Sequence, residues 1–171
     1  MNIVNTDDEE KMKSEYEINC ALERYADTVR RICLLHLKNY HDTEDIFQSV
    51  FLKYLLHNGS FNDEEHEKAW IIRVTINACN DFLKSFYRKN VISLEDTYNM
   101  ESVMDTDKSE VLEAVLSLPK KYKDAVYLHY YEGYTASEIS KMIGKKENTV
   151  YTLLSRARTL LKEKLGGEDF E

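Results

Sequence analysis

Proline and glycine are scarce, with one proline and five glycines in 171 residues. These residues punctuate strands and hairpins, so their scarcity excludes a turn-rich all-β fold and predicts helix almost throughout. Cysteine is equally sparse. Cys20, Cys33 and Cys79 are odd in number and sit at apolar helical positions, which excludes a disulfide framework and reads as reduced core thiols. No apolar run is long enough to span a bilayer, and the opening MNIVNTDDEEKMKSEYE is too acidic for a signal or transit peptide, so a cytoplasmic protein is expected. Catalytic constellations are missing too. Cys33 and His36 lie one turn apart without a second such pair, which is too little for a metal site. There is no phosphate-cradling glycine loop and no nucleophile with a credible base, and His36, His41, His57, His66 and His129 are scattered. The expectation is a protein that is not an enzyme and uses no cofactor or small-molecule substrate.

What the chain does have is enough apolar content, 43%, to bury real cores in one domain or two small ones. Its net charge of −8 is unevenly placed. Residues 1–18 carry six acidic against two basic side chains and residues 93–113 seven against one, whereas residues 19–92 balance at ten each. Residues 119–164 reverse the sign, with ten basic against five acidic. A basic segment suits contact with phosphate, and the acidic remainder disfavours tight binding to free DNA.

That basic segment contains GYTASEISKMIGKKENTVYTLLSRARTLLKEKL, residues 133–165. Thr135 and Glu138 have capping-box spacing, so a helix should start there and bury Ile139, Met142 and Ile143. Gly144 is placed to end it in a left-handed turn. A second helix then buries Val150, Leu154, Ala157 and Leu161 and turns Tyr151, Thr152, Ser155, Arg156 and Arg158 outward. Two short helices about a glycine, the second rich in hydroxyls and arginines, form the helix-turn-helix pattern that lays one helix in a major groove. The plainer alternative is a helical hairpin whose charges face water. Between positions 145 and 164 six basic residues meet only two acidic ones, which favours the DNA reading.

Three more helical runs precede this pair. Residues 14–39 place Ile18, Leu22, Tyr25, Ala26, Val29, Ile32, Cys33 and Leu37 on one face, with Arg24, Arg30 and Arg31 outside. HDTEDIFQSVFLKYLLHN follows, with Asp42 expected as its cap and Ile46, Phe47, Val50, Phe51, Tyr54 and Leu55 buried. Its outer face, Asp42, Glu44, Asp45, Gln48 and Ser49, is either simply solvated or a docking surface for a basic partner. After the break HNGSFN, a run from about Glu64 to Arg88 has an apolar stripe of Ala69, Ile72, Ile76, Cys79, Leu83 and Phe86. A second stripe holds Trp70, Arg73, Asn77, Asn80 or Asp81, Lys84 and Arg88. Aromatics, amides and cations along one face can stack on, read and follow an unpaired strand, although Trp70 can equally be a core anchor. Residues 90–110 lose periodicity and gain acid, as a linker does. Glu110–Leu118 resumes as helix, Pro119 opens another as its first residue, and Leu118, Tyr122, Ala125, Val126 and His129 are expected beneath the helix-turn-helix.

DTEDIFQSVF with AWIIRVTINACNDFLKSFYRK, and LPKKYKDAVYLHYYEGYTASEISKMIG with NTVYTLLSRARTLLKEKL, together resemble the bacterial RNA polymerase sigma factors, specifically the extracytoplasmic-function group. The resemblance spans residues 14–165 and implies an all-α fold of two small helical domains joined by an acidic linker, the C-terminal one a helix-turn-helix. It divides the chain into an acidic tail 1–13, a first domain 14–90, a linker 91–109, a second domain 110–165 and a tail 166–171. It implies docking to core RNA polymerase through Asp42, Glu44, Asp45 and Gln48. Recognition of the minus-ten promoter element falls to Ser60, Phe61, Asn62, Trp70, Arg73, Asn77, Asn80, Lys84 and Arg88, with a base turned out of the stack captured at the loop Ser60–Asn62 and at Asn77. Recognition of the minus-thirty-five element falls to Lys145, Lys146, Thr149, Tyr151, Thr152, Ser155, Arg156 and Arg158. Promoter DNA, core polymerase and an anti-sigma factor are the implied partners. Three positions depart from the family pattern: Ser49 replaces a usual glutamate, Lys146 a common capping serine, and Leu153 a frequent basic residue. The rival functions are a conventional helix-turn-helix regulator acting on a palindrome without polymerase, and a pure protein-interaction module.

Overall fold

The computed structural model describes residues 12–37, 39–89 and 110–166. They fall into two compact units, one within Met1–Ile92 and one within Ser93–Glu171. All regular structure among them is helical, and none of their helices is long and apolar enough to cross a membrane. The acidic segments expected as tail and linker, residues 1–11 and 90–109, and residues 167–171 lie outside the described residues.

The first unit is three mutually packed helices, α1 (Glu15–Leu37), α2 (Tyr40–Leu55) and α3 (Glu64–Lys89). Helix α1 starts with an unforeseen capping box. Glu17 donates its amide to Ser14 Oγ at 3.2 Å, and Ser14 donates its own to Glu17 Oε2 at 2.8 Å. Asp42 is not the cap of α2; Asn39 is, accepting the Asp42 amide at 3.1 Å. Asn39 holds the extended backbone a cap requires, while Asp42 sits inside the first turn. Asp63 caps α3 by accepting the His66 amide at 2.8 Å.

The core of this unit is close to the expected one. Tyr25, Val29, Cys33, Leu37, Phe47, Val50, Phe51, Tyr54, Ile71 and Cys79 form one buried cluster. Each such side chain contributes about 1.5–3 kcal/mol by leaving water. The stripe of α3 is wider than expected, since Ile71, Thr75 and Ala78 are buried along with Ile72, Ile76 and Cys79. It also runs out earlier: Phe86 is exposed, because a stripe of fixed period drifts around a helix as long as α3. Cys33 and Cys79 are buried free thiols with Sγ atoms 3.9 Å apart, and Cys20 is partly exposed.

The second unit comprises α4 (Glu110–Leu116), α5 (Lys120–Val126), α6 (Ala136–Ile143) and α7 (Glu147–Lys164). Two expectations shift here. Helix α4 stops short of Leu118, and Pro119 is the N-cap of α5 rather than its first residue, its ψ of 142° still extended. Directly after α5 the chain widens into a π turn, Tyr127–Tyr131, closed by a Glu132 amide bond to the Tyr127 carbonyl at 3.1 Å. Leu118, Tyr122, Ala125, Val126 and Leu128 are buried and support α7. His129 is partly buried, its Nδ1 2.9 Å from the Tyr134 carbonyl; a carbonyl only accepts, so Nδ1 carries the proton.

Candidate nucleic-acid and partner interfaces

The helix-turn-helix forms where its residues dictate. Thr135 Oγ1 accepts the Glu138 amide at 3.2 Å, and Glu138 Oε2 accepts the Thr135 amide at 2.8 Å. The Thr135 amide first, and then the Thr135 hydroxyl, which donates to the same Oε2 at 3.0 Å, hold the Glu138 carboxyl below its ordinary pKa. Gly144 ends α6 with φ +67°, and Lys145 donates its amide back to the Ser140 carbonyl at 3.1 Å. Lys146 then occupies the N-cap of α7 with no side-chain cap bond, so that helix starts without the hydroxyl acceptor such positions favour.

From α7, Val150, Leu153, Leu154, Ala157 and Leu161 pack inward. Leu153 therefore belongs to the core, which explains an apolar residue where the family pattern often has a basic one. Lys145, Lys146, Thr149, Tyr151, Thr152, Ser155, Arg156 and Arg158 are all exposed. Thr152 donates its hydroxyl to the Asn148 carbonyl at 3.0 Å, which leaves its oxygen outward as an acceptor beside the donor Arg156. An acceptor and a forked donor on one helix are the groups that distinguish base edges in a major groove.

In the first unit the loop between α2 and α3 is built on aromatic rings. Phe61 stacks on His57 at 5.0 Å, lies 5.6 Å from Trp70 and meets the edge of His66 at 5.5 Å. Tyr54 closes the group, 6.1 Å from Phe61 and 6.2 Å from Trp70, and Lys13 Nζ sits over the Tyr54 and Phe61 rings. Asn62 donates its amide to His66 Nδ1 at 3.2 Å. Phe61 and Trp70 are thus partly buried anchors of the loop, and Ser60 and Asn62 are its exposed tip. Packing, the plainer alternative for Trp70, accounts for most of its ring.

Along α3, Arg73, Asn77, Asp81 and Lys84 are exposed and form one row, whereas Asn80 turns partly inward. Its Oδ1 is buried with no hydrogen-bond partner among the described residues. The Arg88 side chain lies outside the described residues.

On α2 the acidic group divides. Asp45 and Gln48 are exposed, but Glu44 is partly buried against Arg30, Oε1 to Nε 3.2 Å, and Arg30 itself lies 4.2 Å over the Phe47 ring. Glu44 therefore ties α2 to α1. Asp42 is partly buried; desolvation first, then the charge of Asp45, raises its carboxyl pKa. Leu52, one and two turns beyond Gln48 and Asp45, is exposed and extends the strip with an apolar side chain. The residues that sequence reasoning missed are of this supporting kind: Leu52, His57, His66 and Glu67. Only helical spacing from Gln48 could have flagged Leu52.

Two family profiles match the chain: "Sigma-70 region 2" over residues 21–89 and "Sigma-70, region 4" over residues 108–161. RNA polymerase sigma factor SigV of Bacillus subtilis is 29% identical over 144 residues, covering 81% of this chain and 85% of that protein. The extracytoplasmic-function sigma factor SigM of Mycobacterium tuberculosis is 27% identical over 153 residues, covering 88% and 78%. Among solved structures, sigma factor RpoE of Bartonella quintana, in complex with the anti-sigma factor NepR, shares the fold at a TM-score of 0.70 and 18% identity. That likeness covers 90% of this chain and 99% of RpoE. CnrH, in complex with the cytosolic domain of CnrY, shares it at 0.62 and 14%, over 91% and 92%. The paired profiles, one on each helical unit, show a sigma-70 protein, and with these relatives they place the chain in the extracytoplasmic-function group of sigma factors, which bind core RNA polymerase and direct promoter recognition and transcription initiation.

Proposed function

We propose that residues 14–90 bind core polymerase and open DNA at the minus-ten element, that residues 110–165 bind the minus-thirty-five element, and that residues 91–109 link the two. The observation that carries this reading is the exposed row on α7, where Tyr151, Thr152, Ser155, Arg156 and Arg158 share one face of a capped helix-turn-helix. On this proposal Arg156, Thr152, Ser155, Tyr151 and Thr149 read base edges, and Lys145, Lys146 and Arg158 hold phosphates. Asp42, Asp45 and Gln48 meet a basic surface of the polymerase, with Leu52 adding apolar contact and Glu44 serving mainly to pair with Arg30. Ser60 and Asn62 form the tip that captures a base, with Arg73, Asn77 and Lys84 along the strand. The remaining assigned residues, Phe61, Trp70, Asn80 and Arg88, flank this path.

The chain is proposed to act in the cytoplasm, where polymerase is, with no reaction of its own. Tethering two modest readers to one enzyme raises the effective concentration of each, so neither requires tight free binding. An anti-sigma factor is proposed as a further partner, as RpoE and CnrH are solved with proteins bound to them. Run-off transcription on genomic fragments with purified core polymerase tests the whole reading. New start sites that appear only with this protein, and vanish when Asp45 and Gln48 become alanine, are expected. Tight binding of the free protein to a palindrome without any transcription would replace it by the conventional regulator.

A further inference from the structure

Glu67, which the proposed promoter contacts leave out, takes hydrogen bonds from two other helices. Its carboxylate accepts the Tyr54 hydroxyl of α2 at 2.5 Å and the Tyr25 hydroxyl of α1 at 2.9 Å, and Arg24 Nη1 lies 3.5 Å away. The side chain is only 12% exposed, so this charge is stable where it is because three donors replace its water. Burial first, and then the bond to Glu67, raises the pKa of both phenols, which keeps them protonated as donors.

The position of this junction matters more than its strength. Tyr54 is three residues before His57 and Glu67 is four after Asp63, so the Tyr54–Glu67 bond closes the α2–α3 loop at its base. The Tyr54 ring is also a wall of the group that holds Phe61 and Trp70. Among the described residues the Tyr25 ring makes no such contact with the loop's rings: it lies in the helical core, and its hydroxyl reaches Glu67 and the Glu64 carbonyl. We infer that the Tyr54–Glu67 hydrogen bond is a clasp that holds the loop tip Ser60–Asn62 in place for capturing a base, and that Glu67 is a positioning residue for strand separation. This rests on the minus-ten assignment of the loop. Loops that place a reacting or recognised group lose rate steeply with small displacements, which is why a clasp at the loop base is worth a charged residue.

The test compares Tyr54→Phe, Tyr25→Phe and Glu67→Gln in holoenzyme made with the full chain. Each variant is assayed for thermal stability, for affinity to core polymerase, and for opening of a promoter carrying 2-aminopurine at the minus-ten element. Both tyrosine variants lose a bond to the same carboxylate, and Tyr25→Phe also loses the longer one to the Glu64 carbonyl, so it should melt at least as low as Tyr54→Phe. Only Tyr54→Phe and Glu67→Gln should slow opening, by roughly tenfold, with polymerase affinity unchanged. A template whose minus-ten region is already unpaired should recover most of that loss. Equal slowing by Tyr25→Phe would show that bundle stability is responsible and overturn the clasp, as would normal opening by Tyr54→Phe. If the wild-type holoenzyme opens no promoter at all, the minus-ten assignment falls and the clasp with it.

Discussion

The indole of Trp70 and the imidazole of His57 lie with ring centroids 4.6 Å apart, and Trp70 is the chain's single tryptophan. Its fluorescence therefore reports on the α2–α3 loop alone. Desolvation first, then the charges of Lys13 and His66, lowers the His57 pKa from its ordinary 6.5. The unfolded chain thus takes up a proton more readily than the folded one. The packing contributes fully above pH 6.5 and is lost as pH falls through the lower folded value. Titration of wild-type fluorescence should show quenching with a midpoint below 6.5, absent in His57→Gln. A midpoint above that value would contradict the packed imidazole.

Gly59 constrains the same ring. A Cβ at this position would lie 2.7 Å from His57 Nε2, and the imidazole is already stacked on Phe61, so it has to move. Gly59→Ala should shift the fluorescence of Trp70 and move the His57 titration back toward its ordinary value. An unchanged titration would show that the ring yields without leaving its neighbours.

Lys146 offers a way to separate stability from DNA contact. It caps α7 without a side-chain bond, so Lys146→Ser should add the missing acceptor and stabilise the second unit by about 1 kcal/mol. The same change removes a proposed phosphate contact, which should reduce the salt dependence of binding by roughly one unit of slope. Thermal melts and fluorescence anisotropy against a minus-thirty-five duplex at several salt concentrations measure both. A variant both more stable and unchanged in salt slope would remove Lys146 from the DNA face.

The features legible in the sequence were those set by local chemistry. The Thr135–Glu138 box, the left-handed Gly144 and the inward and outward rows of α7 are fixed by residues within one or two turns, and they stand where the spacing put them. The Ser14–Glu17 box carries the same local signal. Other features depend on tertiary partners that spacing does not reveal. Glu44 reads as an outward acid until Arg30 is placed beside it, and Trp70 as a platform until His57 and Phe61 fold against it. The π turn after Val126 has no local signature, and the family pattern alone, which often has a basic residue at Leu153, does not reveal that this side chain is buried.

Within α7, the roles proposed for Arg156 and for Lys145 differ in a measurable way. Arg156→Ala should cost about 1–3 kcal/mol on the preferred minus-thirty-five sequence and little on others, because a forked donor to base edges discriminates. Lys145→Ala should weaken binding to all sequences alike and lower the salt slope. Competition binding against a set of single-base variants distinguishes the two, and uniform weakening by Arg156→Ala would move that residue from base reading to backbone holding.

The acidic strip of α2 yields the last expectation. Glu44 is paired with Arg30, so Glu44→Ala should act mainly on stability, by about 0.2–1 kcal/mol for a partly exposed pair, with little effect on polymerase affinity. Asp45→Ala and Gln48→Ala expose no such partner and should weaken core binding without altering the melt. Asp42 adds a pH dependence. Burial and the neighbouring Asp45 raise its pKa in the free protein, while a basic partner favours its charged form, so binding draws that pKa down and releases a proton. Affinity for core polymerase should accordingly fall as pH is lowered through the range where free Asp42 takes up its proton. In Asp42→Asn that part of the pH dependence should disappear. A wild-type affinity that stays flat on acidification, or one that Glu44→Ala reduces as much as Asp45→Ala, would place the docking contact on a different face of α2.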